Sequence, residues 1–204
     1  MRVLLASAHP DDVEVNCGGT IHRLRRQEAE ICSIYMCPCS EDPRNVGHLE
    51  EHAAVVRNMG IDKLIGYDFQ RRYLEYHKQD VRDTLWGIKE QFNPELVICP
   101  SPHDFHQDHR ALSECCMTIF RDSCSILGFE ALRSSTDEFR ANFFVILSTE
   151  DAIKKEEALK GYKTLLKTRQ YFYKPELYLD RSRVRGSQIL VDYAEAYELM
   201  RGRL

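Results

Sequence analysis

The chain reads as an α/β protein, a three-layer arrangement built on a mainly parallel sheet. Three observations predict it. Short apolar runs alternate with helix-spaced amphipathic stretches along most of the length. The first run, Val3-Leu4-Leu5-Ala6, is apolar at every position, the mark of a strand covered on both faces. The residues that carry chemistry cluster just after two of these runs, where an open parallel sheet borders its ligand crevice.

Taken in order, Arg2–Ser7 is the first strand. Val13–Gln27 turns helical, with Ile21 and Leu24 apolar among Arg23, Arg25, Arg26 and Gln27. Gly18-Gly19 near its start permits close approach to the sheet or to a ligand. Ile31–Met36 is a second strand. Glu50–Met59 is a helix with Ala53, Ala54 and Val56 on its buried side and Gly60 at its C-terminal cap. Lys63–Phe69 gives a third strand. In Asp80–Phe92, Val81, Leu85, Ile88 and Phe92 fall at helical spacing until Asn93-Pro94 stops it.

Leu96–Cys99 is the fourth strand, His109–Arg121 a helix, and Ala141–Leu147 an aromatic-rich strand. Ser148-Thr149 followed by Asp151 opens a capped helix reaching about Lys163. Asp122–Arg140 is poorly patterned and reads as a lid or an edge element. From Arg169 onward the chain is rich in Tyr and Arg, and the pattern predicts an amphipathic helix near Tyr193–Met200. No repeat, linker or low-complexity segment interrupts this order, so residues 1–204 read as a single Rossmann-like domain.

Bulk composition narrows the function classes. At 43% hydrophobic and 29% charged residues, the chain is ordinary for a globular protein. A net charge of -4 offers no attraction to nucleic acid or an anionic membrane. No apolar run approaches the roughly 20 residues that span a bilayer. The amino terminus runs straight into a strand and leaves no room for a signal peptide, so the expected location is cytoplasmic. Eight cysteines include Cys99 in a strand and Cys115 and Cys116 in a helix, which read as small buried hydrophobes rather than a disulfide framework. Cys37-Pro38-Cys39 has the wrong spacing for a redox or zinc-knuckle pair.

The chemistry lies in Ala8-His9-Pro10-Asp11-Asp12-Val13-Glu14 and in His103-Asp104-Phe105-His106-Gln107-Asp108-His109. A catalytic zinc site takes three protein ligands and leaves a position for water. His9 and Asp12 can turn toward one point from a single loop, and His109 is the best candidate for the third ligand. Asp11 is then free to act as a general base. His106 is placed to donate to an oxyanion or a leaving amine, and is expected to be protonated. Asp108 is expected to orient one of the imidazoles. Asp104 reads as a turn former, and His22, His48, His52 and His77 as surface residues.

These motifs resemble those of the PIG-L/LmbE-like zinc-dependent N-deacetylases. Ala8–Glu14 with Gly18-Gly19 matches the family's first signature, and His106-Gln107-Asp108-His109 its second. Weaker agreement extends through Lys155, Ala158, Leu159 and Tyr162 to Tyr193-Ala194-Glu195-Ala196-Tyr197. The resemblance implies zinc ligands at His9, Asp12 and His109, a base at Asp11, an oxyanion-stabilising or acid role for His106, and Asp108 tuning the neighbouring imidazole. It also implies removal of an acetyl group from an N-acetylated amino sugar, nucleotide sugar or glycoconjugate, and a homo-oligomer. Tyr171, Phe172, Tyr173 and Tyr178 suit a subunit partner or the chain's own core equally well.

Two departures fall where family members contact substrate. Cys37-Pro38-Cys39-Ser40 stands where a Thr-x-Gly segment is common, and His48 before Glu51 where an Arg is frequent. Fe²⁺ and Co²⁺ are alternatives to Zn²⁺ for His/Asp ligands. The competing functions are a metal-dependent amidase for another amide, such as a thiol conjugate, and a non-catalytic sugar- or nucleotide-binding module. Against the latter, no Gly-x-Gly-x-x-Gly or Walker loop follows the first strand.

Overall fold

The computed structural model describes residues 1–203. Its seven-stranded sheet comprises β1 (Arg2–Ser7), β2 (Glu30–Tyr35), β3 (Lys63–Gly66), β4 (Leu96–Pro100), β5 (Ser125–Phe129), β6 (Phe143–Leu147) and β7 (Tyr193–Arg201), in the order β3-β2-β1-β4-β5-β7-β6. The first five strands run parallel, and β7 is antiparallel to both β5 and β6. Seven α-helices connect the strands: α1 (Asp12–Arg26), α2 (His48–Asn58), α3 (Lys78–Phe92), α4 (Gln107–Phe120), α5 (Thr149–Leu159), α6 (Lys163–Thr168) and α7 (Pro175–Ser187). Among the described residues no helix is long and apolar enough to cross a membrane.

Side chains along β1 alternate between the two faces of the sheet. Leu4 and Ala6 pack with Val81, Leu85 and Ile88 of α3 and Leu112 and Cys116 of α4. Val3 and Leu5 pack with Val13, Cys17 and Ile21 of α1 and Val56 of α2. Burial on both sides explains why the run carries no polar residue. All eight cysteines are buried free thiols, as their apolar settings suggested.

Three expectations about the chain's second half need correcting. Asp122–Arg140 is not an edge element, because it contains β5, an interior strand between β4 and β7, followed by a loop whose residues 131–134 line a cleft. Tyr193–Met200 is strand rather than helix. Its Ala-Glu-Leu-Met content favours a helix, but pairing with β5 on one side and β6 on the other overrides that preference. Pro175–Ser187 forms a helix that the Tyr/Arg-rich reading had not marked.

A buried polar joint ties the far end of the sheet to α1. Lys155 of α5 and Glu195 of β7 form an ion pair at 2.7 Å, with side chains only 2% and 4% exposed. Glu195 also accepts the Gly19 and Thr20 backbone N–H groups at 3.0 and 2.8 Å. This accounts for the paired glycines. A Cβ at Gly18 would meet Lys155 Cγ at 2.8 Å, and one at Gly19 would collide with Leu147. The capped start of α5 is present as expected, with Ser148 and Asp151 forming a reciprocal capping box.

Candidate metal centre

The register places the two chemical clusters side by side. β1 pairs with β4 in parallel as far as Leu5↔Ile98, and the two strands end two residues later, at Ser7 and Pro100. The loop holding His9 therefore emerges beside the loop holding Asp104 and His106, at the carboxyl edge of the sheet.

In the first loop, Asp11 occupies the left-handed region at φ 89°, which aspartate tolerates better than β-branched residues do. The Asp12 Oδ2 accepts the His9 backbone N–H at 2.8 Å and lies 3.5 Å from His9 Nδ1. In the second loop, His106 caps α4, its Nδ1 accepting the Asp108 N–H at 3.2 Å. Asp104 accepts the His106 N–H through Oδ1 at 2.7 Å and faces His109 Nδ1 through Oδ2 at 2.8 Å.

The loops meet at Asp12, whose Oδ2 lies 3.3 Å from His109 Nε2. Across the centre, Asp108 Oδ2 lies 3.1 Å from His9 Nε2 and accepts the Arg72 N–H at 2.7 Å. Asp108 therefore serves His9 and not the neighbouring His106, whose Nδ1 is 3.9 Å from its carboxylate. Sequence reading also underrated Asp104. It is fully buried behind His109, and its signal was an acid five residues before a candidate ligand.

These contacts assign the imidazole protons. An ionised carboxylate only accepts, so the ring nitrogens facing Asp108 and Asp104 carry hydrogen. In their neutral form this leaves His9 Nδ1 and His109 Nε2 as the nitrogens able to offer a lone pair, both beside Asp12 Oδ2. Without a metal a proton fills that place and each imidazolium donates to Asp12; with a divalent cation both nitrogens can ligate it instead. The charge balance without the cation favours the protonated rings. Burial opposes protonation of His109, yet Asp12 and Asp104 outweigh it and push its pKa up to about 10. Burial likewise opposes ionisation of Asp12, but His109 and His9 hold it well below the ordinary carboxylate range. In each histidine the second ring nitrogen is held by a carboxylate, the usual support for a metal-ligating imidazole.

Among the described residues, ligand atoms gather within 4.8 Å of one another in two sets, His9/His106/His109 and His9/Cys37/Asp108, neither of which includes Asp12. His106 already accepts a hydrogen bond at Nδ1, so its neutral ring carries the proton on Nε2 and acts there as a donor. In the other set, burial raises the Cys37 thiol far above its ordinary pKa and Asp108 is already engaged. His9, Asp12 and His109 offer two imidazoles and a carboxylate, a donor set that fits a divalent cation.

The centre opens into a cleft of about 190 Å³ lined by Asp11, His48 and His106. Burial, then the charges of Asp12 and Glu14, raise the Asp11 pKa well above that of a free carboxyl. Burial and the flanking His9 and His109 lower His106 to about 4, which favours a neutral donor over the expected imidazolium. His48 and His52 are only 3% and 1% exposed, which corrects their expected surface placement. His48 Nε2 lies 4.0 Å from Asp11, while His52 bonds the Tyr162 hydroxyl at 2.9 Å above Glu14. His22 is half-buried against Asp151 at 2.7 Å, and His77 is exposed. Tyr173 and Tyr178 are buried in the chain's own core beside the cleft, whereas Tyr171 is 98% exposed.

Known proteins resemble this chain in sequence and in fold. The uncharacterized deacetylase YaiS of Escherichia coli K12 is 27% identical over 168 residues, 79% of this chain and 90% of its own length. The N,N'-diacetylchitobiose deacetylase of Pyrococcus horikoshii superposes with a TM-score of 0.79 at 20% identity, covering 98% of this chain and 83% of that one. The 4-carboxy-2-hydroxymuconate hydratase GalB of Pseudomonas putida KT2440 also reaches 0.79, at 18% identity over 100% and 97% of the two chains. At such identities the structural likeness speaks for the fold alone. The sequence is decisive: residues 4–120 match the model of the PIG-L (GlcNAc-PI de-N-acetylase) deacetylases, and the chain belongs to that family.

Proposed function

We propose that the protein is a metal-dependent hydrolase that removes the acetyl group from an N-acetylated amino sugar, nucleotide sugar or glycoconjugate. The observation that carries this reading is the convergence of His9 Nδ1, His109 Nε2 and Asp12 Oδ2, with Asp108 and Asp104 behind the two imidazoles. A hydratase shares the fold, so the reaction has to be argued from the site rather than from overall shape. Zn²⁺ suits this donor set, with Fe²⁺ and Co²⁺ as alternatives. Bound there, the ion would polarise the acyl oxygen and acidify a water.

The chain's own residues supply the rest. Asp11 lines the cleft next to Asp12 with a pKa raised by burial and by its acidic neighbours, which suits a group that must take a proton and then release it. It takes the proton of the attacking water as the carbon–oxygen bond forms. It then passes that proton to the nitrogen as the carbon–nitrogen bond breaks, giving acetate and a free amine. His106 donates from Nε2 to the acyl oxygen as negative charge builds there. Being neutral, it positions a hydrogen bond without bringing a further positive charge beside the cation site.

The test is release of acetate and free amine from a panel of N-acetylated sugars and nucleotide sugars, with and without chelator. The expected result is turnover that chelator abolishes and Asp11→Asn removes while the metal stays bound. Turnover undiminished by chelator, or by Asp11→Asn, would overturn the reading.

A further inference from the structure

Three arginines line the cleft, and only one of them has a protein partner for its charge. Arg169 bonds Asp42 Oδ2 at 3.3 Å and Asn45 Oδ1 at 3.2 Å. Arg71 and Arg133 make no ion pair and no side-chain hydrogen bond among the described residues. Arg71 is half-buried, which is a costly place to leave a guanidinium without an anion. Arg133 is exposed, but its guanidinium is held 4.5 Å over the Phe172 ring, which limits its freedom before any ligand arrives.

Their placement follows from the topology. Arg71 lies in the loop after β3 and Arg133 in the loop after β5. In the order β3-β2-β1-β4-β5, the strands carrying the His/Asp centre lie between those two. The two arginines therefore reach one cleft from opposite flanks of the centre. They are not needed to balance its acids, since the cations acting on Asp11 and Asp12 are His9, His109 and Arg169. Nor does overall basicity explain them, because the chain carries a net charge of -4.

A planar guanidinium matches the paired oxygens of a phosphate or carboxylate, and two of them on one cleft select for such a group. We infer that the substrate is an anionic N-acetyl amino sugar, one whose phosphate or carboxylate is received by an arginine flanking the centre, Arg71 on one side or Arg133 on the other. This rests on the deacetylase reading above and adds the charge of the substrate to it. The hydrolysis itself is unchanged; the anion takes no part in bond making or breaking.

The experiment compares N-acetylglucosamine 1-phosphate, N-acetylmuramic acid and the neutral methyl glycoside of N-acetylglucosamine on the metal-loaded protein. At least one anionic substrate is expected to exceed the neutral one tenfold or more in kcat/KM, mainly through KM; which one distinguishes phosphate from carboxylate. Arg71→Ala or Arg133→Ala should erase most of that preference by costing the anionic substrates far more than the neutral one, and Arg71→Lys should restore part of what Arg71→Ala removes. Equal kcat/KM for anionic and neutral substrates would overturn the inference and leave the deacetylase intact, as would arginine variants that weaken all substrates alike. If no substrate yields free amine, the deacetylase reading fails instead. Calorimetric binding of the same three compounds to wild type and to the double arginine variant then decides the anion preference separately. A preference lost in the double variant supports it, and no preference in wild type refutes it.

Discussion

Asp108 and His9, 99 positions apart in the chain, meet at 3.1 Å through Oδ2 and Nε2. Asp104 makes the same contact with His109 at 2.8 Å. Each carboxylate fixes which ring nitrogen carries hydrogen, and so presents the other to a cation. Replacing Asp108 or Asp104 by Asn should weaken zinc affinity by roughly 10–100-fold with little loss of folded protein. Competition against a chromophoric chelator measures this, and unchanged affinity in both variants would show that the imidazoles are oriented some other way.

His106 should behave differently from the ligands. His106→Ala is expected to keep its metal and lose about 10²–10³-fold in kcat, the usual cost of one oxyanion donor. His9→Ala should lose metal and activity together. Metal content by mass spectrometry beside steady-state rates separates the two, and loss of metal from His106→Ala would make that imidazole a ligand instead.

The Lys155–Glu195 pair is almost wholly buried, with Glu195 also holding the Gly19 and Thr20 N–H groups. Glu195→Ala strands a buried ammonium and two amide donors, so a loss of about 3–5 kcal/mol is expected in urea unfolding. A change below about 1 kcal/mol would mean that the joint relaxes to admit water.

His52 and Glu14 give opposing pH dependences. Burial lowers the His52 pKa to about 3 from 6.5, so between those values the unfolded chain binds a proton that the folded one does not. Stability falls there by about 1.4 kcal/mol per pH unit on acidification. Burial raises Glu14 to about 7 from 4.5, so the folded chain holds an extra proton in that interval and gains stability as pH falls. The two effects offset between pH 6.5 and 4.5, while His106, lowered to about 4, adds a loss of the same sign as that of His52. In His52→Leu, stability relative to its own pH 7 value should therefore fall less on acidification to pH 4.5 than in wild type. Urea titrations across that range check this, and a variant that tracks wild type would contradict it.

The parallel half of the fold was legible because its strands are apolar on both faces and its helices keep one apolar stripe. Arg2–Ser7 and Leu96–Pro100 are of this kind, and the His/Asp clusters follow each of them directly. β7 was misread because Glu195 is a charged residue in an interior strand, tolerated only through Lys155 from a distant helix. β5 was missed because Ser125–Phe129 is short and contains a glycine, and pairing on both sides supplies what its propensity lacks. The ligand types stood in the motifs themselves. The partners of each imidazole did not, since Asp108 reaches His9 across the sheet rather than along the chain. Arg71 and Arg133 carried no local signal at all, because only strand order brings their loops to one cleft.

The central claim is tested most directly by anomalous diffraction at the zinc edge from crystals grown with one equivalent of Zn²⁺. The account predicts a single strong peak with His9 Nδ1, Asp12 Oδ2 and His109 Nε2 at about 2.0–2.2 Å. A peak held by His106 in place of Asp12, or by Cys37 and Asp108, would contradict it.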